Sequence, residues 1–202
     1  MDTSSHTTHL YSVGHSTHNI HKFINLLKQH DIQVIADVRS VPYSRHNPQF
    51  SRESLRRSLG DHGIAYMFLG KELGARRHEP ECYHDHKVDF DQVAKTPAFR
   101  EGLGRLVESS LKMNVAMLCA EKDPLACHRT ILVARYLMKL IGDVRHILDD
   151  GSIETQNQAE ERLLKAYARQ GSDLFATPEQ LISQAYHRRA ADIAYQEPIR
   201  HG

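Results

Sequence analysis

Val115-Ala116-Met117-Leu118-Cys119-Ala120-Glu121-Lys122-Asp123-Pro124-Leu125-Ala126-Cys127-His128-Arg129 joins an apolar run to a polar turn, and the apolar-periodic stretch 130–141 follows. The run reads as a buried strand, the proline-containing segment as a tight turn, and the remainder as a helix. The first turn of that helix is expected to carry a thiol, an imidazole and a guanidinium. A helix N-terminus has free N–H groups and the positive end of the macrodipole, so it favours anions and thiolates. Packing alone has no use for such a polar group of residues. The stretch therefore predicts both a strand–turn–helix unit and a site.

The same unit repeats outward from it. Residues 10–13 form a short apolar run ending in Gly14-His15-Ser16, and apolar residues at helical spacing predict a helix over 19–30. Val34-Ile35-Ala36 is a second buried strand, followed by Asp37-Val38-Arg39. A helix is expected over 51–60 and a third strand over 65–69, stopped by Gly70. A long polar segment runs over 71–95. Thr96-Pro97 then caps a helix to residue 112, and a fifth strand falls at 144–148. Thr155-x-x-Gln158 and Thr177-x-x-Gln180 have the form of capping boxes for two last helices. The strands are apolar runs rather than alternations, so both faces of the sheet are covered. The fold class is α/β: three layers, α/β/α, with a mainly parallel sheet of about five strands. Residues 1–9 read as a disordered N-terminal segment, 10–170 as the α/β domain and 171–202 as a C-terminal helical extension.

In such a sheet the strand C-termini share one edge, where ligands bind. His15-Ser16, Asp37 with Arg39, and Cys119 with Glu121 each lie just past a predicted strand end. Three separate clusters therefore converge on one crevice before any function is assumed. Arg39 and Arg45 sit on a loop stiffened by Pro42 and suit bidentate contact with phosphate or carboxylate, unless Arg39 pairs with Asp37 instead. His15 is a candidate acid/base.

Composition sets bounds on this picture. The chain has 202 residues, 40% of them apolar, and no run near the roughly 18 apolar residues of a membrane span. The first nine residues lack a signal-peptide core. Three cysteines, an odd number, argue against a disulfide framework and for a reducing compartment, with the cytoplasm as the default. The formal net charge of +1 conceals an asymmetry. Residues 39–77 hold eight Arg or Lys against three acids, a local excess that points to a phosphate-bearing small molecule or a nucleic acid as partner.

The two cysteines of the central stretch are separated by seven residues, which is not a redox C-x-x-C. Cys119 also lacks the arginine six positions on that a thiol phosphatase loop requires, since Leu125 stands there. Cys127 at a helix start could be nucleophilic or merely packed. Cys119, Cys127 and His128 could together bind zinc, but the spacing is not that of a familiar finger. No metal ligand is assigned on the sequence, and no cofactor follows from it. His78, Cys82, His84 and His86 form a second concentration in the polar segment. In a chain with fifteen histidines, that is weak evidence for a metal.

Taken in order, Ser12-Val13-Gly14-His15-Ser16, Asp37-Val38-Arg39 with Pro42 and Ser44-Arg45, Leu69-Gly70 with Leu73-Gly74, and Leu118-Cys119-x-Glu121 with Cys127-His128-Arg129 resemble the DUF488 family. The resemblance runs from Leu10 to Leu164 and takes in the turn Asp150-Gly151-Ser152-Ile153-Glu154. Ala75 departs from it, because the family often has a second glycine there. The resemblance implies an α/β protein, and it brings suggestions of enzymatic activity from the paired cysteines and loose DNA-repair labels among some relatives. The expected site has Cys119, Glu121, Cys127 and His15 as catalytic groups. Asp37, Arg39, Arg45, His128 and Arg129 hold the substrate. The expected function is an enzyme acting on a nucleotide or nucleic acid, related to modification or repair. The rival is a non-catalytic anion- or nucleotide-binding regulatory module.

Overall fold

A computed structural model describes residues 9–168 and 176–198. The segment expected to be disordered, apart from His9, lies outside the described residues, as do residues 199–202 at the other end. Five strands form the parallel body of the sheet: β1 (Leu10–Gly14), β2 (Val34–Asp37), β3 (Ala65–Phe68), β6 (Val115–Cys119) and β7 (Arg145–Ile147). A sixth, β8 (Ile153–Thr155), adds antiparallel at the edge, giving the order β3-β2-β6-β1-β7-β8. The short β4 (Tyr83–His84) and β5 (Lys87–Val88) pair separately.

The crossovers explain the layers. The steps β1 to β2 and β2 to β3 run one way along the sheet, while β3 to β6 and β6 to β7 run the other way. Right-handed connections then require helices on opposite faces. On one face lie α1 (Ile20–Gln29) and α2 (Arg52–Gly60), which bury Phe23, Leu27, Leu55 and Leu59 against Ile35 and Leu118. On the other lie α5 (Pro97–Ser110), α6 (Arg135–Ile141) and α7 (Gln156–Ala168), which bury Phe99, Leu106, Leu137 and Leu163 against Val115 and Met117. The α/β/α architecture is the one the strand pattern predicts. β1 and β6 are neighbours whose chains leave towards opposite faces, so a crevice opens at their C-terminal ends.

Local chemistry sets the helix starts. Asn19 accepts from the Lys22 N–H, and Thr96 accepts from the Phe99 N–H with Pro97 in the first turn. Thr155 and Gln158 exchange reciprocal bonds, as do Thr177 and Gln180. The last helix, α8 (Pro178–Ile193), buries Ala185 and Tyr186 in the main core and binds the Leu125 carbonyl through Arg189. Below it runs a buried polar chain, Ser12–His146–Gln156–Tyr186–Glu160, with links of 2.6–2.8 Å.

The polar segment 71–95 is more structured than a loop. It contains α3 (Gly70–Leu73), the β4–β5 hairpin and α4 (Phe90–Val93). Arg77 organises this region, donating to the Lys71 and Glu72 carbonyls and pairing with Glu79. No helix among the described residues is long and apolar enough to cross a membrane.

Candidate functional site

β6 delivers Cys119 to the crevice in register with Gly14 of β1, while Asp37 of β2 pairs with Leu118 one residue back. The turn after β6 folds under the loop after β1: the His15 and Ser16 N–H groups bind the Cys119 and Ala120 carbonyls. This close approach needs a glycine, because a Cβ at Gly14 would stand 1.9 Å from the Glu121 carbonyl oxygen. Gly70 has the same role beside Arg39, whose carbonyl oxygen would be 2.1 Å from a Cβ there.

Cys127 is not in the first turn of the helix. A 3-10 turn at Pro124–Ala126 leads into it, and its backbone is extended. The helix starts after His128 with a turn of π-helix, Arg129–Ala134, before α6. Such π turns recur at functional sites because they re-aim side chains. Cys127 and His128 immediately precede the turn and lie beside Cys119 at the end of β6. The ligand atoms of Cys119, Cys127 and His128 all lie within 4.8 Å of one another. His128 Nδ1 is 3.6 Å from Cys119 Sγ and 3.7 Å from Cys127 Sγ. Its Nε2–H donates to the Val38 carbonyl at 3.0 Å, which fixes the ring. The Cys119 thiol donates to Glu121 Oε2 at 3.1 Å, and the Arg129 N–H points at Cys127 Sγ at 3.4 Å.

The electrostatics of the cluster are mutual. Burial and then the neighbouring Cys127 push the Cys119 thiol well above the usual thiol range. Burial opposes ionisation of Cys127 too, but the Cys119 hydrogen bond and the positive His128 and Arg129 outweigh it and hold Cys127 well below that range. His128 is raised, because the Cys127 thiolate overcomes its desolvation. Glu121 is raised by burial and then by Cys127. The shifts run in opposite senses, Cys127 towards its thiolate and His128 towards its protonated form, with a carboxyl group beside the second sulfur.

These residues line one open cleft of about 270 Å³, along with Arg39, Ser40, Val41, Ala75, Arg76, Ile193 and Tyr195. The expected residues divide within and around it. Cys119, Glu121, Cys127, His128 and Arg39 meet there. Arg129 is fully buried, and its guanidinium holds the Glu121 and Lys122 carbonyls, so it clamps the turn and does not face the cleft. Arg39 is held by Asp37 through bonds of 2.8 and 2.6 Å, and Asp37, wholly buried, also accepts from the Tyr66 hydroxyl. His15 stacks on Phe50 with ring centroids 4.4 Å apart, donates to the Ser16 carbonyl and does not line the cleft. Burial lowers its pKa to about 4. Arg45 is exposed on its loop and likewise does not line the cleft.

Arg76 was not foreseen as a site residue. It is exposed at the cleft, stacks over Tyr195 at 4.5 Å and forms no ion pair among the described residues. Its only sequence signal was membership of the basic stretch. Tyr195 carried none, because α8 brings it there from the far end of the chain. Ala75, the departure from the resembled pattern, puts its methyl group on the cleft wall. His78, Cys82, His84 and His86 do not converge: among the described residues the only group of three or more potential ligands is Cys119, Cys127 and His128.

The fold and site therefore define a doubly wound α/β protein with a thiol–imidazole–carboxyl cluster at the carboxyl edge of its sheet. The family model for the Domain of unknown function DUF488 matches residues 19–137, and the chain belongs to that family. The match includes Asp37, Arg39 and the whole Cys119–Arg129 turn, and begins after His15. No curated protein and no solved structure matches the chain.

Proposed function

We propose that this protein is an enzyme acting on a phosphate-bearing substrate, a nucleotide or a nucleic acid, in the reducing environment of the cytoplasm. The observation that carries this reading is the cleft's composition: two buried sulfurs and a buried imidazole, with the exposed Glu121 carboxyl beside them, share the cleft with an exposed arginine, Arg76, that has no acidic partner among the described residues. A cation without an acidic partner at the cleft suits an anionic group on the substrate. The adjoining loop supports the same reading, since Val41 and Tyr43 are exposed beside Arg45 and offer an apolar and aromatic surface for a base. In this reading Arg76 and the Arg39 edge hold the anion. The Cys119–Cys127–His128 cluster supplies the reactive groups, and Glu121 moves protons.

Titration of labelled nucleotides and short DNA or RNA against stepped salt concentrations tests it. Binding is expected to weaken with salt, and Arg76→Ala should cost about tenfold in affinity and reduce the salt slope by about one. No binding, or binding indifferent to Arg76→Ala, would overturn the proposal. Binding without turnover of any nucleotide or nucleic acid would favour a regulatory module in place of an enzyme.

A further inference from the structure

We infer that Cys119, Cys127 and His128 form a binding site for a transition-metal ion of the zinc class, with its open position on the cleft. This rests on the reading above only in taking the cluster as the reactive centre.

The first argument is geometric. A tetrahedral ion with metal–sulfur bonds of about 2.3 Å and metal–nitrogen bonds of about 2.0 Å needs a sulfur-to-nitrogen edge of about 3.5 Å. The two edges present are 3.6 and 3.7 Å. Both sulfurs therefore stand close to the distance from Nδ1 that one shared ion requires.

The second argument is the orientation of the donors. His128 is held through Nε2–H on the Val38 carbonyl, which leaves Nδ1 as the atom facing both sulfurs. Metal-ligating histidines are generally fixed in this way by a partner on the far nitrogen. The Arg129 N–H directed at Cys127 Sγ stabilises a thiolate at that position. Two thiolates and one neutral imidazole would balance a divalent ion with no charge left over in a buried place. Soft donors of this kind select zinc or a similar ion over magnesium or calcium.

The Arg129 guanidinium is hydrogen-bonded to the Glu121 and Lys122 carbonyls and not to the cluster, which its backbone N–H contacts at Cys127 Sγ; its charge favours the thiolates that a metal ion needs. Glu121 is better placed as a neighbour than as a ligand. Its Oε2 is 3.1 Å from Cys119 Sγ, closer than a tetrahedral edge, and it lines the cleft. Three protein ligands with a fourth position open to the cleft is the pattern of catalytic zinc sites, whereas structural sites are closed by four. A water molecule at that position would have Glu121 beside it to accept its proton, leaving a bound hydroxide.

The test uses the full-length, untagged protein. Elemental analysis should find near-stoichiometric metal. Co²⁺ added to protein stripped with a chelator should give sulfur-to-cobalt charge-transfer absorption and the intense visible bands of a tetrahedral site. Both signals should be lost in Cys119→Ser and in Cys127→Ser and kept in Cys82→Ser, with circular dichroism confirming that each variant is folded. If a variant fails to fold, wild-type Co²⁺ titration still decides, because absence of thiolate–cobalt bands in folded wild-type protein overturns the site. Retention of the bands in a folded Cys119→Ser, Cys127→Ser double variant overturns it equally. Thiolate–cobalt bands without nucleotide affinity would sink the phosphate reading alone. Nucleotide affinity without these bands would sink the metal alone.

Discussion

Asp37 and Arg39 stand at the strand end where the sequence places them, and their task differs from the one their types suggest. Both positions were legible because they follow an apolar run. Whether the guanidinium would reach for substrate or for Asp37 depends on burial, which the sequence does not reveal. Arg39 is 6% exposed and paired through Nε and Nη2 with a carboxylate that has no exposure at all. Asp37→Ala would leave that buried cation and the Tyr66 hydroxyl unpaired, at a cost of about 3–5 kcal/mol. Urea unfolding checks this, and the double change Asp37→Leu with Arg39→Met should recover much of the loss. A cost under about 1 kcal/mol for Asp37→Ala would show that the pair is solvated and free to bind ligand. Gly14 makes a second residue-scale prediction. Gly14→Ala must push the Glu121 carbonyl away, so it should destabilise the fold and loosen the Cys119–Glu121 turn together. A variant as stable as wild type with unchanged ligand affinity would contradict that placement.

The elements were legible to the degree that each carried its own periodicity or cap. The apolar runs of β1, β2, β3, β6 and β7 and the capping residues Thr96, Thr155 and Thr177 all act locally and are legible in the sequence, whereas Asn19 caps a helix that its spacing alone would start one residue early. β8 is three half-buried residues whose pairing with β7 depends on a turn at Gly151, so no run announced it. The π turn is a similar case. Apolar spacing over 130–141 looks the same for either helix type, and the misplaced start put Cys127 in a helix it only precedes. The role of α8 was hidden because its core contacts are distant in sequence. Tyr186 is its anchor, hydrogen-bonded to Gln156 and Glu160. Tyr186→Phe removes one hydroxyl from a buried chain and should cost about 1–3 kcal/mol in denaturant unfolding. Because Ile193 ends α8 and Tyr195 follows just after it, both lining the cleft, the variant should also loosen the cleft wall, seen as faster amide exchange at those positions. Loss of stability with unchanged exchange there would separate α8 from the site.

For the molecule as a whole, two buried histidines set the response to acid. His146 has no exposure, and burial and then Arg129 lower its pKa from 6.5 to about 4. His15 is lowered to about 4 by burial. Each is neutral in the fold but takes up a proton below pH 6.5 when unfolded. The stability they contribute is complete above about pH 6.5 and is lost as the pH falls towards 4. The His146 share is on the order of 3 kcal/mol. Chemical unfolding between pH 7 and 4 should show that decline, and His146→Gln should flatten it. A flat profile in the wild type would mean that neither ring is buried as described.

The central claim is that a phosphate-bearing ligand sits over the sulfur–imidazole cluster at the carboxyl edge of the sheet. Amide chemical shifts of the ¹⁵N-labelled protein, followed while a nucleotide and then a short oligonucleotide are added, test it most directly. Saturable shifts are expected centred on Arg39, Ser40, Arg76, Ala120, Glu121, Cys127 and His128, with α1, α2 and α7 quiet. Shifts centred on any other face, or none at millimolar ligand, would contradict it.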